Sequence, residues 1–241
     1  MTIHRFFVSP GKIKSNKIFF DQEAAKQITK VLRLKVGEKV IALDNTGFEY
    51  LVRLEEMISG QLFGTILKKT KNNSESKKQV TLYQALTTKD KFELILQKCT
   101  EIGVSKIVPV ETKRSLLKVK DLSPKKLERF EKIIQEAAEQ SERGLLPKLG
   151  KPLKFAEAII NLGTKGETLC AWEDEKKNNL NSVLKKADDT KNISIFIGPE
   201  GGFEKEEIIF ARKHDVLTIT LGPRILRTET AAIVLAAKLL L

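Results

Sequence analysis

A run of twelve residues without an apolar side chain, 68–79, separates two parts of the chain that have different hydrophobic periods. Before it, short segments rich in β-branched and aromatic residues are separated by turn residues, which predicts a small β-domain. After it, strand patterns alternate with helical patterns, which predicts βαβ units around a parallel sheet. We therefore predict an α/β protein with one domain over residues 1–70, a polar linker over 71–79 and a second domain over 80–241.

The first domain is predicted to be a small antiparallel barrel with one helix. Its strand candidates are HRFFV, NKIFF, KVIAL, FEYLVRL and QLFGTIL, and residues 44–47 have the composition of a turn between two of them. A helix is predicted near 22–33, whose apolar face consists of Ala25, Ile28, Val31 and Leu32.

The second domain begins with a predicted βαβ unit. Its helix starts at Asp90 and carries apolar residues at helical spacing, namely Phe92, Ile95, Leu96, Cys99 and Ile102. Ser123 and Pro124 are suited to open a long helix that ends near Gly144. Three further strand candidates follow: TLCAW, ISIFIG and VLTITLG. Each of the last two leads through a glycine-containing loop into a helix, which predicts ligand loops at the carboxyl ends of parallel strands.

The charge of the chain indicates its partner. Among 241 residues there are 43 Lys and Arg against 31 Asp and Glu, a net charge of +12, of which residues 1–78 carry +7. Nucleic acid is favoured over a lysine-rich surface that serves only solubility, and the more basic first domain suggests a binding module attached to a catalytic one. No apolar run approaches the roughly 20 residues of a membrane span, and the first residues do not form a signal peptide. We expect a cytoplasmic protein with no membrane partner.

Cysteine and histidine usage argues against metal and disulfide chemistry. Cys99 and Cys170 lie within apolar patterns and are predicted to be buried thiols. The only histidines are His4 and His214, and the chain has no Cys/His ligand spacing, so we expect no metal.

The first glycine-containing loop follows the strand ISIFI and has the sequence GPEGG, residues 198–202. Its glycines permit positive φ and bring backbone amides close to a ligand, although a tight strand-to-helix turn is an alternative. Four carboxylates in or after the loop would repel a phosphate, so a cationic or neutral ligand fits better: Glu200, Glu204, Glu206 and Glu207.

The second loop, LGPRILRTETA at 221–231, joins a strand to the final helix. Thr228 or Thr230 is suited to cap that helix, and Arg224 and Arg227 are suited to hold an RNA phosphate or a developing anion, or to pair with glutamates of the neighbouring loop. The final helix is apolar at ten of thirteen positions over 229–241, which predicts burial on all sides, inside the domain or between subunits.

The pair GPEGG and LGPRILRTETA resembles the knotted methyltransferases of the SPOUT superfamily, and within it the RsmE family of 16S rRNA (uridine-N3)-methyltransferases. The resemblance extends over most of the chain through HRFFV, KVLRLKVGE at 30–38, residues 91–115 and EAAEQSERGLLP at 136–147. The chain departs from the family pattern at Thr88-Lys89-Asp90 and at Glu142-Arg143.

The resemblance implies a PUA-like small β-barrel followed by a SPOUT α/β domain with a deep trefoil knot near the carboxyl terminus. It further implies S-adenosylmethionine as methyl donor, a homodimer, and 16S rRNA, in an assembled or partly assembled small subunit, as the partner. By the same likeness the donor site consists of Trp172, Ile197, Gly198, Pro199, Glu200, Gly201, Gly202, Leu221, Gly222, Leu226, Arg227 and Thr228.

Within this implied activity, Arg227 is the first candidate to stabilise a uridine anion. Glu101 and Glu229 are candidate bases, or else structural partners of Arg227. The RNA contacts are expected from Arg5, Lys12, Lys30, Arg33, Arg143 and Arg224. Two other functions stay open from sequence: a non-catalytic RNA-binding protein of ribosome assembly, and a related enzyme that acts on tRNA or on a ribose hydroxyl.

Overall fold

The computed structural model describes residues 3–57, 61–162, 166–180 and 191–241. The chain forms two compact units. The first contains Met1–Glu75 and Gln135–Leu146, and the second contains Ser76–Ile134 and Pro147–Leu241. The limits predicted from sequence were residues 70 and 80. The observed division differs, because residues 135–146 contact the first unit, and composition does not reveal contacts between residues distant in sequence.

The first unit contains a six-stranded sheet in the order β1-β4-β5-β6-β3-β2. The strands are β1 (Arg5–Phe7), β2 (Ile13–Lys14), β3 (Lys17–Phe19), β4 (Lys39–Leu43), β5 (Phe48–Leu54) and β6 (Phe63–Lys71). The expected antiparallel pairing holds except between β1 and β4, which run parallel. The predicted turn at 44–47 is present, with the carboxylate of Asp44 accepting the N–H of Thr46 and the hydroxyl of Tyr50.

The helix predicted near 22–33 is shorter than predicted and changes from α-helical to π-helical geometry along its length. Helix α1 (Gln22–Lys26) is capped by Asp21 and continues as a π-helical turn over Gln27–Val31. Ile28 is fully buried, but Val31 is 68% exposed, so its predicted place on the apolar face is wrong. The wider π-helical turn shifts the residues that follow it around the helix axis, which turns Val31 toward solvent.

The residues after β6 are held within the first unit by a buried ion pair. Arg143 makes two hydrogen bonds to the carboxylate of Glu75, Nη2 to Oε2 at 2.7 Å and Nε to Oε1 at 3.2 Å. Glu75 also accepts the backbone N–H groups of Gly144 and Leu145 at 3.1 Å. Four donors on one carboxylate fix a segment whose composition alone predicts a free linker.

The second unit contains a sheet in which every paired strand is parallel, with β9 paired to β8 outside the order β10-β8-β7-β12-β11-β13. The strands are β7 (Gln79–Ala85), β8 (Lys106–Glu111), β9 (Lys148–Leu149), β10 (Leu153–Lys154), β11 (Glu167–Ala171), β12 (Asn192–Ile197) and β13 (Leu217–Ile219). Apolar side chains fill both faces, as a parallel sheet requires. The predicted strands and their parallel pairing are confirmed.

The described helices of the second unit largely match the predicted patterns. They are α2 (Lys89–Ile102), α3 (Pro124–Gln140), α4 (Phe155–Ile160), α5 (Lys205–Arg212) and α6 (Thr228–Leu240), and the last six residues of α3 belong to the first unit. Helix α3 ends four residues before the predicted Gly144. Cys99 and Cys170 are buried free thiols as predicted, and burial raises the pKa of Cys99 to about 12.

Within one chain helix α6 is not buried on all sides, so burial inside the domain alone does not account for its composition and burial between subunits stays a prediction. Ala232, Leu235 and Ala236 are fully buried, whereas Ile233 and Val234 are partly exposed. An apolar strip of the helix therefore remains open within one chain. In the described residues no helix is both long and apolar enough to cross a membrane.

The segment after β11 is anchored by one buried carboxylate. Glu175 accepts hydrogen bonds from Thr218 Oγ1 at 2.5 Å, from Arg212 Nη2 at 2.8 Å and from the backbone N–H groups of Lys177 and Asn178. Burial alone would raise the pKa of Glu175, but these donors outweigh it and lower the pKa to about 2. The charged carboxylate thus stabilises the fold above its ordinary titration range and loses that effect as the pH falls toward 2.

We expect Glu175→Gln to lower the free energy of unfolding at pH 7 by about 1–3 kcal/mol, because it removes the charge that four donors share. The difference between variant and parent should shrink as the pH falls from about 5 toward 2. Urea unfolding at pH 7 and at pH 3.5 measures both effects. Glu206→Gln, a change at an exposed position, is the matched control, and equal stability of parent and Glu175→Gln at pH 7 would contradict the prediction.

Candidate active site

The candidate site is a cavity at the carboxyl ends of three neighbouring strands in the second unit. Its walls are the residues after β11, residues 197–203 after β12 and residues 220–228 after β13, together with Lys91 and Ala231. The cavity has a volume of about 480 Å³, which lies in the range of small-molecule sites. The parallel register of β11, β12 and β13 brings the three loops together.

All twelve residues predicted for the donor site line this cavity, and Arg224, predicted to contact RNA, lines it too. Eight other lining residues are not among the predicted ones: Lys91, Ala171, Glu173, Phe203, Thr220, Pro223, Ile225 and Ala231. Ala171, Glu173 and Thr220 directly follow or precede predicted positions. Their nearness to the predicted positions could therefore have indicated them from the sequence. Lys91 lies more than 100 residues from either loop, so no nearby residue indicates its place in the cavity.

The two main loops are joined by a hydrogen-bonded hydroxyl. Thr228 Oγ1 donates to the carbonyl of Gly198 at 2.6 Å and accepts from Gln84 Nε2 at 3.0 Å. The sequence suggested Thr228 or Thr230 as the cap of this helix. Thr228 does not cap it, because Thr228 is its first residue and Arg227 occupies the N-cap position. Its hydroxyl instead connects the start of α6 to the end of β12 and to the buried end of β7.

Two basic side chains hold the GPEGG loop. Lys91 Nζ lies 3.0 Å from Glu200 Oε1, and Arg114 binds both Glu204 Oε1 at 2.8 Å and the carbonyl of Gly201 at 2.7 Å. Burial would raise the pKa of Glu200, but the hydrogen bonds, including that of Lys91, outweigh it and lower the pKa. The pKa of Glu204 is lowered mainly by its hydrogen bond to Arg114.

The other two carboxylates of this region are also occupied. Glu207 accepts the backbone N–H groups of Lys113 and Glu204, both at 3.0 Å, and Glu206 lies 3.7 Å from Lys113 Nζ. All four carboxylates therefore have partners of their own. Basic side chains offset the charges of Glu200, Glu204 and Glu206, whereas Glu207 keeps its charge and is stabilised by backbone amides. That this region disfavours a phosphate stays a prediction.

Arg224 and Arg227 differ from the paired arginines of the second unit. Both are exposed, and neither side chain makes an ion pair or a hydrogen bond with the residues that the structure describes. Arg114, Arg129 and Arg212, by contrast, are all paired with carboxylates. Two unpaired guanidinium groups at the cavity are available to an anion from outside the chain.

The two candidate bases do not line the cavity. Glu101 lies near the end of α2 and pairs with Lys98 at 2.9 Å. Glu229 lies in the first turn of α6, where its Oε2 is buried without a hydrogen-bond partner among the described residues. Neither makes an ion pair with Arg227 in the described chain.

The remaining residues predicted to contact RNA lie in the first unit and fall into two groups. Lys30 and Arg33 are exposed, and Lys12 is partly exposed. Arg5 pairs with Glu49 at 2.8 Å and with Glu142 at 3.0 Å, and the side chain of Arg143 is only 4% exposed against Glu75. Arg5 and Arg143 therefore serve as internal ion-pair residues of the first unit, and little of either is open to a phosphate.

Comparisons with known proteins place this geometry in a family. A model of an RNA methyltransferase domain matches residues 74–240, and a model of an RNA methyltransferase PUA domain matches residues 20–67. The ribosomal RNA small subunit methyltransferase E of Mesomycoplasma hyopneumoniae is 37% identical over 98% of both chains. The protein of that name from Bacillus subtilis is 31% identical over 87% of this chain and 84% of its own.

The chain belongs to the ribosomal RNA small subunit methyltransferase E family. This confirms the family predicted from the two loop motifs, and with it an α/β fold that has a PUA-like domain and a methyltransferase domain.

Solved structures of similar proteins support the assignment. The methyltransferase E of Neisseria gonorrhoeae, bound to S-adenosylmethionine, superposes with a TM-score of 0.87 at 26% identity and covers 98% of this chain and 96% of its own. A protein of Legionella pneumophila in complex with the same cofactor gives 0.84 at 29% identity, covering 99% and 97%. In the described part of the chain, no group of three His, Cys, Asp or Glu side chains is arranged to hold a metal ion.

We expect Thr228→Val to lower the free energy of unfolding by about 1–3 kcal/mol, because it removes the hydroxyl donor of the partly buried Gly198 carbonyl and one of the two acceptors of the Gln84 amide. Thr228→Ser keeps the hydroxyl and should lose less. Urea unfolding of the three proteins measures the difference. A valine variant as stable as the parent would show that the hydroxyl does not join the two loops.

Proposed function

We propose that the protein transfers a methyl group from S-adenosylmethionine to N3 of a uridine in 16S rRNA. The observation that carries this proposal is the convergence of all twelve predicted donor-site residues on one cavity. Family membership supports a small-subunit rRNA substrate, and two similar proteins have S-adenosylmethionine bound. The choice of uridine N3 rests on the resemblance in the loop motifs.

The lining of the cavity suits this donor. Backbone groups of the two glycine-containing loops would hold an adenine, and the side chains of Ile197, Leu221 and Leu226 add apolar surface. Gly202 has φ +70°, and Gly222 has φ +122°, conformations that favour glycine and keep the loop backbones open to a ligand. When bound, S-adenosylmethionine supplies an electrophilic methyl group on a sulfonium sulfur.

The reaction requires the uridine to lose its N3 proton. N3 then forms a bond to the methyl carbon, the electron pair of the broken carbon–sulfur bond stays on sulfur, and the proton passes to solvent. The negative charge that develops on N3, O2 and O4 needs a cation nearby. Arg227 is unpaired and lines the cavity, so we assign it that role, and we assign Arg224 to an adjacent phosphate or base edge.

The RNA must present an unpaired base. N3 lies on the Watson–Crick edge, so a paired uridine has to be flipped out of its helix before Arg227 can reach it. Exposed cations of the first unit, Lys12, Lys30 and Arg33, are proposed to bind RNA phosphates and so to position the substrate. We accordingly propose a cytoplasmic protein whose partner is the small ribosomal subunit or a precursor of it.

We further propose a homodimer and a trefoil knot in the second unit. The open apolar strip of α6, together with Ile225 at 86% exposure, supports burial against a second copy. The knot rests on the resemblance in the loop motifs, because the backbone bonds from Trp172 to Ile219 and from Thr220 to Asn178 extend the parallel pairing of β11 with β13. Light scattering should give twice the chain mass of 27.1 kDa, and a monomer at micromolar concentration would contradict the dimer.

The function is tested by mass spectrometry of nucleosides from rRNA of cells that lack the protein. We expect 3-methyluridine to be missing from 16S rRNA and to return when the intact protein is supplied, but not when the Arg227→Ala variant is supplied. Small subunits purified from the deficient cells should accept radiolabelled methyl groups in vitro. Methylation of tRNA or of a ribose hydroxyl, or an unchanged nucleoside profile, would overturn the proposal.

We expect Arg227→Ala to lower the rate of methyl transfer by about 10²–10³, because its cation acts mainly once the N3 proton is gone. Affinity for RNA and donor should fall much less. Single-turnover rates at saturating RNA and donor separate the two effects. Near-normal rates combined with a much higher RNA requirement would instead make Arg227 a phosphate anchor, and Arg33→Ala, an exposed arginine outside the cavity, is the matched control for lost phosphate contacts.

A further inference from the structure

One carboxylate that lines the donor cavity makes no ion pair among the described residues, and two unpaired arginines, Arg224 and Arg227, line the same cavity. Two glutamates line the cavity, Glu173 and Glu200. Glu200 is neutralised by Lys91 at 3.0 Å. Glu173 makes no hydrogen bond or ion pair with the residues that the structure describes, and it directly follows Trp172 at the end of β11.

The position of this carboxylate is set by the GPEGG loop. A Cβ atom built on Gly202 would collide with Glu173 Oε1 and would lie 3.0 Å from its Cδ. The carboxylate therefore lies against the backbone of the loop, in space that only glycine leaves open. Arg114 is influenced by the charge of Glu173, but its guanidinium is already bound to Glu204 and to the carbonyl of Gly201.

Donor and product of the proposed reaction differ in charge at one atom. S-adenosylmethionine carries a sulfonium cation, whereas S-adenosylhomocysteine has a neutral thioether at the same place. A carboxylate in the cavity wall that makes no ion pair attracts the sulfonium cation of S-adenosylmethionine. It has no such attraction for the neutral thioether of S-adenosylhomocysteine. Of the four carboxylates of residues 200–207, only Glu200 lines the cavity, and its charge is offset by Lys91 at 3.0 Å.

We propose that Glu173 makes the cavity select the charged methyl donor over its neutral product. The inference rests on the proposed function and extends it to the specificity of the donor site. Glu173 would favour entry of S-adenosylmethionine and release of S-adenosylhomocysteine, since the attraction disappears when the methyl group has left the sulfur.

Isothermal titration calorimetry of the full-length protein tests this with S-adenosylmethionine, S-adenosylhomocysteine and sinefungin, an analogue with an amine cation near the sulfur position. We expect Glu173→Gln to weaken both cationic ligands roughly three- to tenfold and to leave S-adenosylhomocysteine unchanged. The effect should shrink in 1 M NaCl, where charges at a partly open cavity are screened. Asp174→Asn removes the next carboxylate along the chain, which does not line the donor cavity, and should not change the ratio of affinities.

Each other outcome has a distinct meaning. Equal weakening of all three ligands by Glu173→Gln would overturn the inference, because it would place the carboxylate on the ribose or the amino acid that they share. An unchanged ratio would overturn it too. Failure of the unmutated protein to bind any of the three would instead count against the proposed function.

Discussion

The hydroxyl of Thr228 holds the site together, because it is the point where three separate parts of the second unit meet. It binds the carbonyl of Gly198 at the end of β12 and the amide of Gln84 at the end of β7, and it begins α6. Thr228 and Gln84 are buried and the bond to Gly198 is partly buried, so an unpaired polar group here is costly. The spacing of the two glycine-containing loops, and hence the shape of the cavity between them, depends on this contact.

The charged groups of the site fall into two sets, those paired within the chain and those left unpaired at the cavity. Lys91 and Arg114 pair with Glu200 and Glu204, and Arg114 also binds the carbonyl of Gly201. The groups left unpaired at the cavity are Glu173 and the two arginines of the following loop. Three of the four carboxylates in and after the GPEGG loop thus have a basic partner, and the unpaired charges at the cavity come from neighbouring segments.

Sequence reasoning located the strands, the parallel sheet and both ligand loops, because hydrophobic period and glycine placement are local signals. It failed where a contact joins distant residues. No residue near Val31 indicates the π-helical turn that exposes its side chain. No residue near Arg143 indicates its partner Glu75, 68 residues away. Lys91 was missed at the cavity for the same reason. Composition predicted a final helix buried on all sides, inside the domain or between subunits, but it cannot show which face of the helix the rest of the chain leaves uncovered.

The two thiols of the chain have a practical meaning beyond packing. Both belong to the second unit, both are completely buried, and burial raises the pKa of each, so little reactive thiolate exists while that unit is closed. Alkylation therefore requires the second unit to open. The chain has no other cysteine. The rate of thiol alkylation therefore measures the opening of the methyltransferase unit and does not depend on motions of the PUA-like unit.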